Sequence, residues 1–299
     1  MPPIPLARRG PLIVCFKTSQ AGHLRTIFDS LRDLINDVNL HFIPDDSTDN
    51  TPGILLFAMD NSHVALAHLR LPAEKIRRAD EFLCTRQCSA GLSVPGFWRC
   101  LKTMGTHDIV SLSMYEGDKD NLYLVGETPS SGKRREFVIR LMDIDEGHLE
   151  IPDAVFDCVF TMNSSELQRL CRDMAAVEPD EIIIESNSNT LTWRGSGSEA
   201  DMEVSFDART EDSQGIVFET EECTTTISNK YSLKYLGMFT KATALCPNVR
   251  IHLKPRFPII LDYEVPALGV LRFCLAPKIG SEVQEVEEEE NKTMADEGW

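Results

Sequence analysis

The sequence predicts an α+β protein made of two similar halves. Strand-like segments far outnumber helical ones, and each half runs strand, helix, several strands, a second helix and further strands. The halves share this order rather than their residues, which indicates an internal duplication. With 299 residues, 42% of them hydrophobic, the chain is long enough to bury a sizeable core in each of two domains.

Strands are predicted where β-branched residues or apolar alternation are bounded by Gly, Asp or Asn turns. In the first half they are residues 12–17, 53–59, 64–71, 108–115, 121–127 and 136–142. In the second half they are residues 158–162, 181–186, 190–195, 200–207, 215–219, 249–254, 259–264 and 269–276.

Four segments have the apolar spacing of amphipathic helices: residues 21–36, 94–104, 164–176 and 232–243. On each segment two basic residues stand beside or opposite the apolar stripe, three or seven positions apart. The pairs are Arg25 and Arg32, Arg99 and Lys102, Arg169 and Arg172, and Lys234 and Lys241.

Basic pairs of this kind usually do no more than occupy a solvated helix face. Here the whole chain has 47 acidic and 30 basic residues, a formal net charge of −17, yet the second and fourth segments contain no acid. A solvated face of such a chain is expected to be acidic. The four pairs therefore indicate one local surface that binds an anion.

Neither the start of the chain nor its apolar stretches predict a membrane segment. The first ten residues have charge but no apolar run behind them, and residues 54–59, the longest apolar stretch, are too few to span a bilayer. We expect a protein of the cytosol or nucleus. The nine cysteines, an odd number spread through apolar patterns, indicate reduced core thiols, and the Cys84 and Cys88 spacing lacks the second pair that a zinc site needs.

Several collinear motifs carry a resemblance to a known family. The stretch 231–279 contains YSLKYLGMFTKAT and ends in LAPKI, and SLRDLIN, AMDNSHVAL, LMDIDEGHLEIPD and SSELQRLCRDM precede it at residues 30–36, 58–66, 141–153 and 164–174. Together they resemble proliferating cell nuclear antigen, the eukaryotic DNA sliding clamp. The resemblance covers roughly residues 11–279 and identifies the chain as a divergent member of that family.

The resemblance implies a DNA-clamp fold in which three subunits close head to tail into a ring, with helices inside and antiparallel sheets outside. It implies a homotrimer whose edge strands, placed at residues 136–141 and 200–206, pair between subunits. Double-stranded DNA would pass through the ring without base readout. The partners implied are DNA polymerase and other proteins with short clamp-binding motifs, and a separate ATP-driven clamp loader, with no cofactor and no chemistry of its own.

Carried over position by position, the residues that would face DNA are Arg25, Arg32, Arg99, Lys102, Arg169, Arg172, Lys234 and Lys241. The family's second lysine on the first helix falls at Thr26, so one contact is missing. A pocket for partner peptides would be formed by Met59, His63, Val64, Leu66, Leu149, Ile151, Pro258, Ala276, Pro277 and Ile279. Where the family has a large aromatic residue beside LAP, this chain has Cys274, which predicts a pocket that is roomier or that prefers different anchors.

The predicted domain limits follow from these assignments. They are an N-terminal extension at residues 1–10, clamp domain 1 at 11–140, a connecting linker at 141–156, clamp domain 2 at 157–279, and a disordered acidic tail at 280–299. The last twenty residues carry eight acids and one base. We expect the nucleus as the location, or a viral replication site if the source is a large DNA virus.

Two alternatives remain open at this point. One is a metal-dependent enzyme in which Asp143, Asp145 and Glu146 hold Mg²⁺, although no phosphate loop or spaced His set accompanies them. The other is a subunit of a mixed, checkpoint-type ring. The homotrimer is preferred because all four helical segments keep both bases.

Overall fold

A computed structural model describes residues 9–47, 51–145, 154–187, 190–207, 216–219 and 226–278. In this part of the chain the two halves repeat one order of elements. The first half consists of β1 (Leu12–Thr18), α1 (Ala21–Leu31), β2 (Asp37–Ile43), β3 (Gly53–Met59), β4 (Ala65–Pro72), α2 (Ala73–Ile76), β5 (Glu81–Cys84), β6 (Cys88–Ser93), α3 (Val94–Leu101), β7 (Ile109–Tyr115), β8 (Asp118–Thr128) and β9 (Lys133–Arg140).

The second half repeats this order without the short helix α2. It consists of β10 (Cys158–Asn163), α4 (Ser164–Met174), β11 (Ile182–Ser186), β12 (Thr190–Ser196), β13 (Asp201–Asp207), β14 (Ile216–Phe218), β15 (Ile227–Tyr231), α5 (Leu233–Phe239), β16 (Asn248–Leu253), β17 (Ile259–Val265) and β18 (Gly269–Leu275). By position, β4 therefore corresponds to β13, and β9 corresponds to β18.

Three antiparallel sheets form from these strands. One has the order β5-β1-β7-β8-β9, one has the order β13-β12-β11-β15, and the largest runs β14-β10-β16-β17-β18-β4-β3-β2-β6. The largest sheet joins the two halves because β18 pairs with β4, with Phe273 opposite Ala67 and Cys274 opposite Leu66. Within the described residues, β9 and β13 end their sheets and have a neighbour on one side only.

Helices α1, α3, α4 and α5 form a single layer against the sheets. α1 packs against α3 and against the 3₁₀ turn Thr240–Ala244, and α4 packs against α5 and the same turn. The rings of Phe28 and Phe97 meet edge to face at 4.5 Å between α1 and α3, and Phe239 of α5 stacks on Phe273 of β18 at 4.6 Å. The apolar stripes thus face the core, and the polar sides of the four helices share the opposite face.

Local sequence explains where these helices begin and end. Asn163 caps α4 by accepting a hydrogen bond from the Ser165 backbone nitrogen at 2.9 Å. The fourth predicted helix is α-helical only to Phe239, because the hydroxyl of Thr240 bonds back to Gly237 at 2.8 Å and the chain tightens into a 3₁₀ turn. The first three predicted segments likewise end earlier as α-helix, at Leu31, Leu101 and Met174.

Four strands and one helix were not predicted from the pattern. They are β2, β5, β6, β15 and α2. β2 and β6 are buried on both sides over much of their length, so they lack the apolar alternation of a half-exposed strand, and the small residues of β6 have little strand preference. β5 and α2 have only four residues each.

The predicted linker begins on the outer face of the largest sheet. The Met142 nitrogen donates to the Gly91 carbonyl at 2.9 Å, and the Asn39 amide donates to the Ile144 carbonyl at 3.0 Å. A Cβ atom at Gly91 would lie 2.1 Å from the Met142 oxygen, so glycine is required for this approach. The predicted domain limits stay a prediction; β9 ends at Arg140 and β10 begins at Cys158.

Two smaller findings concern the expectations on membranes and cysteines. In the described ranges, no helix is long and apolar enough to cross a bilayer. Eight cysteines are described and carry free thiols, four of them buried, whereas Cys223 lies outside the described residues.

Candidate nucleic-acid interface and apolar pocket

All eight predicted DNA-facing residues lie in the helix layer. Arg25 is on α1 and Arg32 caps its C-terminal end; Arg99 is on α3, followed by Lys102 at its end. Arg169 and Arg172 are on α4, Lys234 is on α5, and Lys241 is in the 3₁₀ turn after it. Five of the eight are exposed, and Arg25, Arg32 and Lys241 are half-buried. Thr26, the missing lysine position, bonds its hydroxyl back to Gly22 at 3.0 Å.

Two acids, one on α1 and one just after it, neutralise part of this basic layer. The Nε atom of Arg32 lies 2.7 Å from Asp29, and Asp33 is ion-paired with Lys241 while lying 4.0 Å from Arg32. The hydrogen bond from Lys241 holds the pKa of Asp33 below its usual range, although burial acts in the opposite direction. Asp33 therefore stays ionised and links the first half of the chain to the second across the helix layer.

The remaining bases differ in how free they are to reach a phosphate. Arg169 is ion-paired with Glu166 at 2.7 Å, and Arg25 donates to the Met104 carbonyl at 3.3 Å. Four of the exposed bases have no ion-pair partner within the described part of the chain: Arg99, Lys102, Arg172 and Lys234. A polyanion would meet these four cations without first displacing an acid.

An aromatic side chain stands among the bases of the first half. The guanidinium carbon of Arg32 lies 4.0 Å from the centre of the Trp98 ring, and the Lys102 ammonium lies 5.0 Å from it. Cations held over an indole face gain about 0.5–2 kcal/mol from its quadrupole. Trp98 therefore fixes where Arg32 and Lys102 point, a role that the helical pattern alone did not reveal.

An apolar pocket lies on the opposite, outer face of the largest sheet. Its floor is a row of four side chains, one from each of the adjacent strands β3, β4, β18 and β17. Met59 pairs with Leu66, Leu66 with Cys274, and Cys274 with Ile260. They form a small cluster separate from the main core, with Phe57 and Phe156 packed beside it. Phe257 and Pro258, from the turn before β17, complete a cavity of about 270 Å³.

The turn at one end of the pocket is organised by Asp60, which is 5% exposed. Its carboxylate accepts hydrogen bonds from the backbone nitrogens of Ser62, Val64 and Ala65 at 2.7–3.0 Å. Burial by itself would raise the pKa of Asp60, but these bonds together with the Tyr235 hydroxyl outweigh it and lower the pKa. The same turn places His63 in the left-handed region, at φ 56°, with its ring on the Met59 sulfur.

The structure brings most of the predicted pocket residues together. The cavity is lined by the predicted Met59, His63, Val64, Leu66, Pro258 and Ala276, and also by Ala65, Phe257, Ile260 and Cys274. Pro277 follows Ala276 but does not line the cavity. The predicted Leu149, Ile151 and Ile279 lie outside the described residues. The pairing of Asp60 with Tyr235 and the wall formed by Phe257 were missed, because both depend on contacts between distant parts of the sequence.

A polar network borders the pocket on the same face. Arg272 donates two hydrogen bonds of 2.6 and 2.8 Å to Asp262, and His252 lies 3.1 Å from the same carboxylate. Burial would raise the pKa of Asp262, but the bonds from Arg272 and His252 hold it at about 2. Burial, aided by the charges of Arg272 and Arg70, lowers the pKa of His68 to about 4. At neutral pH the network thus holds a charged Arg–Asp pair beside an uncharged His68.

The residues of the metal-enzyme alternative do not form a site in the described part of the chain. Asp143 and Asp145 are exposed, and Glu146 is outside the described residues. No group of three or more His, Cys, Asp or Glu side chains among the described residues is arranged to hold a metal ion. The geometry gives this alternative no support.

Comparison with known proteins agrees with the geometry. A family model described as "Proliferating cell nuclear antigen, N-terminal domain" matches residues 14–148, and one described as "Proliferating cell nuclear antigen, C-terminal domain" matches residues 150–278. The chain is 32% identical over 265 residues to the protein named "Proliferating cell nuclear antigen" of Caenorhabditis elegans, with 88% of this chain and 96% of the relative covered.

Proposed function

The chain belongs to the proliferating cell nuclear antigen family, and from this premise we propose how its own residues perform the work of a DNA sliding clamp. The observation that carries the proposal is the helix layer, whose polar face gathers eight cations on a chain of net charge −17. A local cationic surface on an acidic protein attracts the DNA backbone there and repels it elsewhere.

The eight cations contact DNA weakly, which is what sliding requires. Phosphate contacts are independent of sequence, so they let a ring move along a duplex, but strong contacts would hold it in place. In this chain Asp29, Asp33 and Glu166 compete with phosphate for Arg32, Lys241 and Arg169. Affinity is thereby limited, and the ring's topology keeps it on DNA.

Ring closure follows from the internal repeat. Inside the chain, β18 of the second half pairs with β4 of the first half. The corresponding strands, β9 and β13, both end their sheets in the described chain, so β9 of one copy pairs with β13 of the next. Three copies, as in the family, complete a homotrimer. The half-buried Phe137 and Ile139 of β9, and Met202, Val204 and Phe206 of β13, are then fully covered.

The outer pocket receives a short segment of a partner protein. Its floor of Met59, Leu66, Cys274 and Ile260 is apolar, and its volume of about 270 Å³ suits one or two side chains rather than a folded surface. The partners proposed are DNA polymerase and other replication and repair proteins with clamp-binding motifs. A small Cys274 in the floor leaves room for a large aromatic anchor.

Other aspects of the function follow from family membership. The clamp is loaded onto DNA by a separate ATP-driven machine and works in the nucleus, or at a viral replication site if its source is a virus. It tethers enzymes and catalyses no reaction itself. A mixed ring with different subunits is not favoured, because this one chain carries both the cations of the helix layer and the two edge strands needed for closure.

Mass measurement in solution tests the ring. Light scattering during gel filtration at micromolar concentration is expected to give about three times the 33.6 kDa of one chain. A strict monomer under these conditions would contradict ring closure, and a dimer would contradict the homotrimer.

A further inference from the structure

Arg9 lies on the solvent side of the first sheet, just before β1. Residue Arg9 is only 6% exposed, and its carbonyl accepts a hydrogen bond from the Gly117 nitrogen at 2.9 Å. Gly10, at φ 75°, turns the chain sharply between Arg9 and β1. The turn places the Arg9 side chain over the sheet rather than out in solvent.

Arg9 packs on an aromatic residue of β8, whose ring also contacts Tyr115. Tyr123 is 1% exposed although its neighbours Leu122 and Leu124 point to the main core, so its own ring points to the other face. The guanidinium carbon of Arg9 lies 3.8 Å from the centre of the Tyr123 ring. Cation and ring are thus packed against each other on the solvent side of β8.

The same guanidinium pairs with the edge strand β9. Its Nη2 atom lies 3.0 Å from a carboxylate oxygen of Glu136, whose side chain is 28% exposed. Glu136 is the only acid in β9, which otherwise carries Lys133, Arg134, Arg135 and Arg140. Because Phe137 and Ile139 pack toward the core, Glu136 stands on the solvent side with Tyr123. Arg134, on the same side, lies 3.5 Å from both Glu136 and Glu127, whereas Arg135 is on the other side and pairs with Asp108 at 3.0 Å. With Glu136 paired to Arg9 and Arg134, the solvent side of β9, which also carries Arg140, has a net positive charge.

The opposite edge of the molecule has the complementary charge. β13 carries Asp201, Glu203 and Asp207 and no base, although Glu203 is ion-paired at 2.5 Å with Arg194 of the neighbouring strand β12. Its half-buried Met202, Val204 and Phe206 pack against the core, so these acids stand on the solvent side. Like charges directly opposite each other across paired strands are destabilising, whereas opposite charges stabilise the pair.

We infer that Arg9 is an interface residue of the ring: it masks Glu136 so that β9 presents a cationic edge to the acidic β13 of a second copy. The inference rests on the proposed pairing of β9 with β13. Without Arg9, Glu136 would keep only its 3.5 Å contact with Arg134, and its less fully paired carboxylate would face the acids of β13 at every junction between subunits. The N-terminal extension then contributes to closure although it belongs to neither paired strand.

The test is a dilution series followed by mass photometry on the full chain and three variants. For Arg9→Gln, the concentration at which half of the rings dissociate is expected to rise by about tenfold or more, since a charged hydrogen-bond partner is lost beside each interface. Glu136→Gln removes the masked charge and is expected to dissociate no more readily than wild type. The double variant R9Q/E136Q is expected to return close to Glu136→Gln.

A second combination separates an interface role from simple local stabilisation. This combination adds Asp201→Asn and Glu203→Gln to Arg9→Gln. The two acids do not contact Arg9 within one chain, so their removal restores the ring only if the two edges meet. Recovery supports the inference, and its absence overturns it. If Arg9→Gln prevents folding, the contact can still be tested by combining E136Q with D201N/E203Q. Changes in ring stability that simply add would contradict a contact between the two edges, and changes that do not add would support it.

The outcome for the wild type distinguishes the two proposals. A wild-type chain that is monomeric at every concentration contradicts the ring itself. A wild-type ring with an equally stable Arg9→Gln ring overturns only the role of Arg9. Thermal unfolding of each variant under monomeric conditions shows whether the fold itself has been weakened.

Discussion

The hydroxyl of Tyr235 donates a hydrogen bond to the carboxylate of Asp60 at 2.7 Å, over 175 positions of sequence. Tyr235 lies on α5, next to Lys234, one of the cations proposed to face DNA, whereas Asp60 organises the turn that carries His63 and Val64 into the apolar pocket. One bond thus ties the helix layer of the second half to a wall of the pocket in the first half.

Tyr235→Phe removes only this hydroxyl. We expect the free energy of unfolding to fall by about 1 kcal/mol, because a buried carboxylate loses one of its donors. The pocket turn should loosen, and the affinity for a fluorescently labelled clamp-binding peptide should fall severalfold. Fluorescence anisotropy measures the affinity and urea unfolding the stability. An unchanged affinity together with the stability loss would show that the turn does not depend on this bond.

Asp33→Asn tests the acids of the helix layer. Without its charge, Lys241 loses its ion-pair partner and is free to reach phosphate, whereas Arg32 stays paired with Asp29. Retention on DNA should therefore strengthen and one-dimensional diffusion should slow. The salt dependence should steepen, with a log–log slope more negative by about 0.9 for each added phosphate contact. Single-molecule tracking at several salt concentrations measures both quantities.

The matched control is Glu264→Gln, which removes one exposed acid from β17. It changes the net charge of the ring by the same amount, but among the described residues Glu264 is paired with none of the eight cations of the helix layer. If Glu264→Gln slows diffusion as much as Asp33→Asn does, the effect is one of total charge and the local role of Asp33 is wrong.

Ala276→Arg tests the pocket. Ala276 lines the cavity while its backbone nitrogen bonds to the Val64 carbonyl at 2.9 Å, so a longer side chain would fill the space without removing that bond. Peptide affinity should fall by about 100-fold, the range expected when an anchor pocket is blocked. Asn61→Arg, which adds the same charge at an exposed position of the neighbouring turn, should leave affinity within about threefold.

His68 predicts a loss of stability in mild acid. Burial lowers its pKa to about 4 in the fold, against 6.5 when unfolded, so the unfolded chain binds the proton more readily. Stability from this group is complete above pH 6.5 and is lost as the pH falls from 6.5 to 4, by on the order of 3 kcal/mol at most. Arg70, Arg272, Asp262 and the Phe57 ring surround the imidazole.

Urea unfolding of wild type and His68→Gln at fixed protein concentration checks this expectation. The glutamine side chain cannot gain a proton, so the difference in stability between the two proteins should change between pH 7.5 and pH 4.5 in favour of the variant. A constant difference across that range would contradict a neutral buried His68.

The sequence predicted what depends on local periodicity. The four helices were found because Leu, Ile and Phe recur at helical spacing, and most strands were found because polar and apolar residues alternate. β2 and β6 were missed because both of their faces are covered, which removes the alternation. The end of α5 was misplaced because the turn depends on threonine hydroxyls and not on apolar spacing.

Contacts between distant residues could not be read from the chain. The ion pair of Lys241 with Asp33 spans 208 positions, and no spacing rule links them. The pocket was located by resemblance to a family, whereas its cross-strand line from Met59 to Ile260 became visible only once the strand order was known. Trp98 was assigned to no role because an aromatic residue on a helix is usually part of a core.

Retention on closed and cut DNA tests most directly whether the protein encircles a duplex. Rings loaded by a clamp loader onto a nicked circular plasmid are separated from free protein by gel filtration, before and after the plasmid is linearised with a restriction enzyme. We predict that the protein stays with the circle and is lost from the linear DNA, because topology rather than affinity holds it. Equal retention on both would contradict a clamp that encircles DNA.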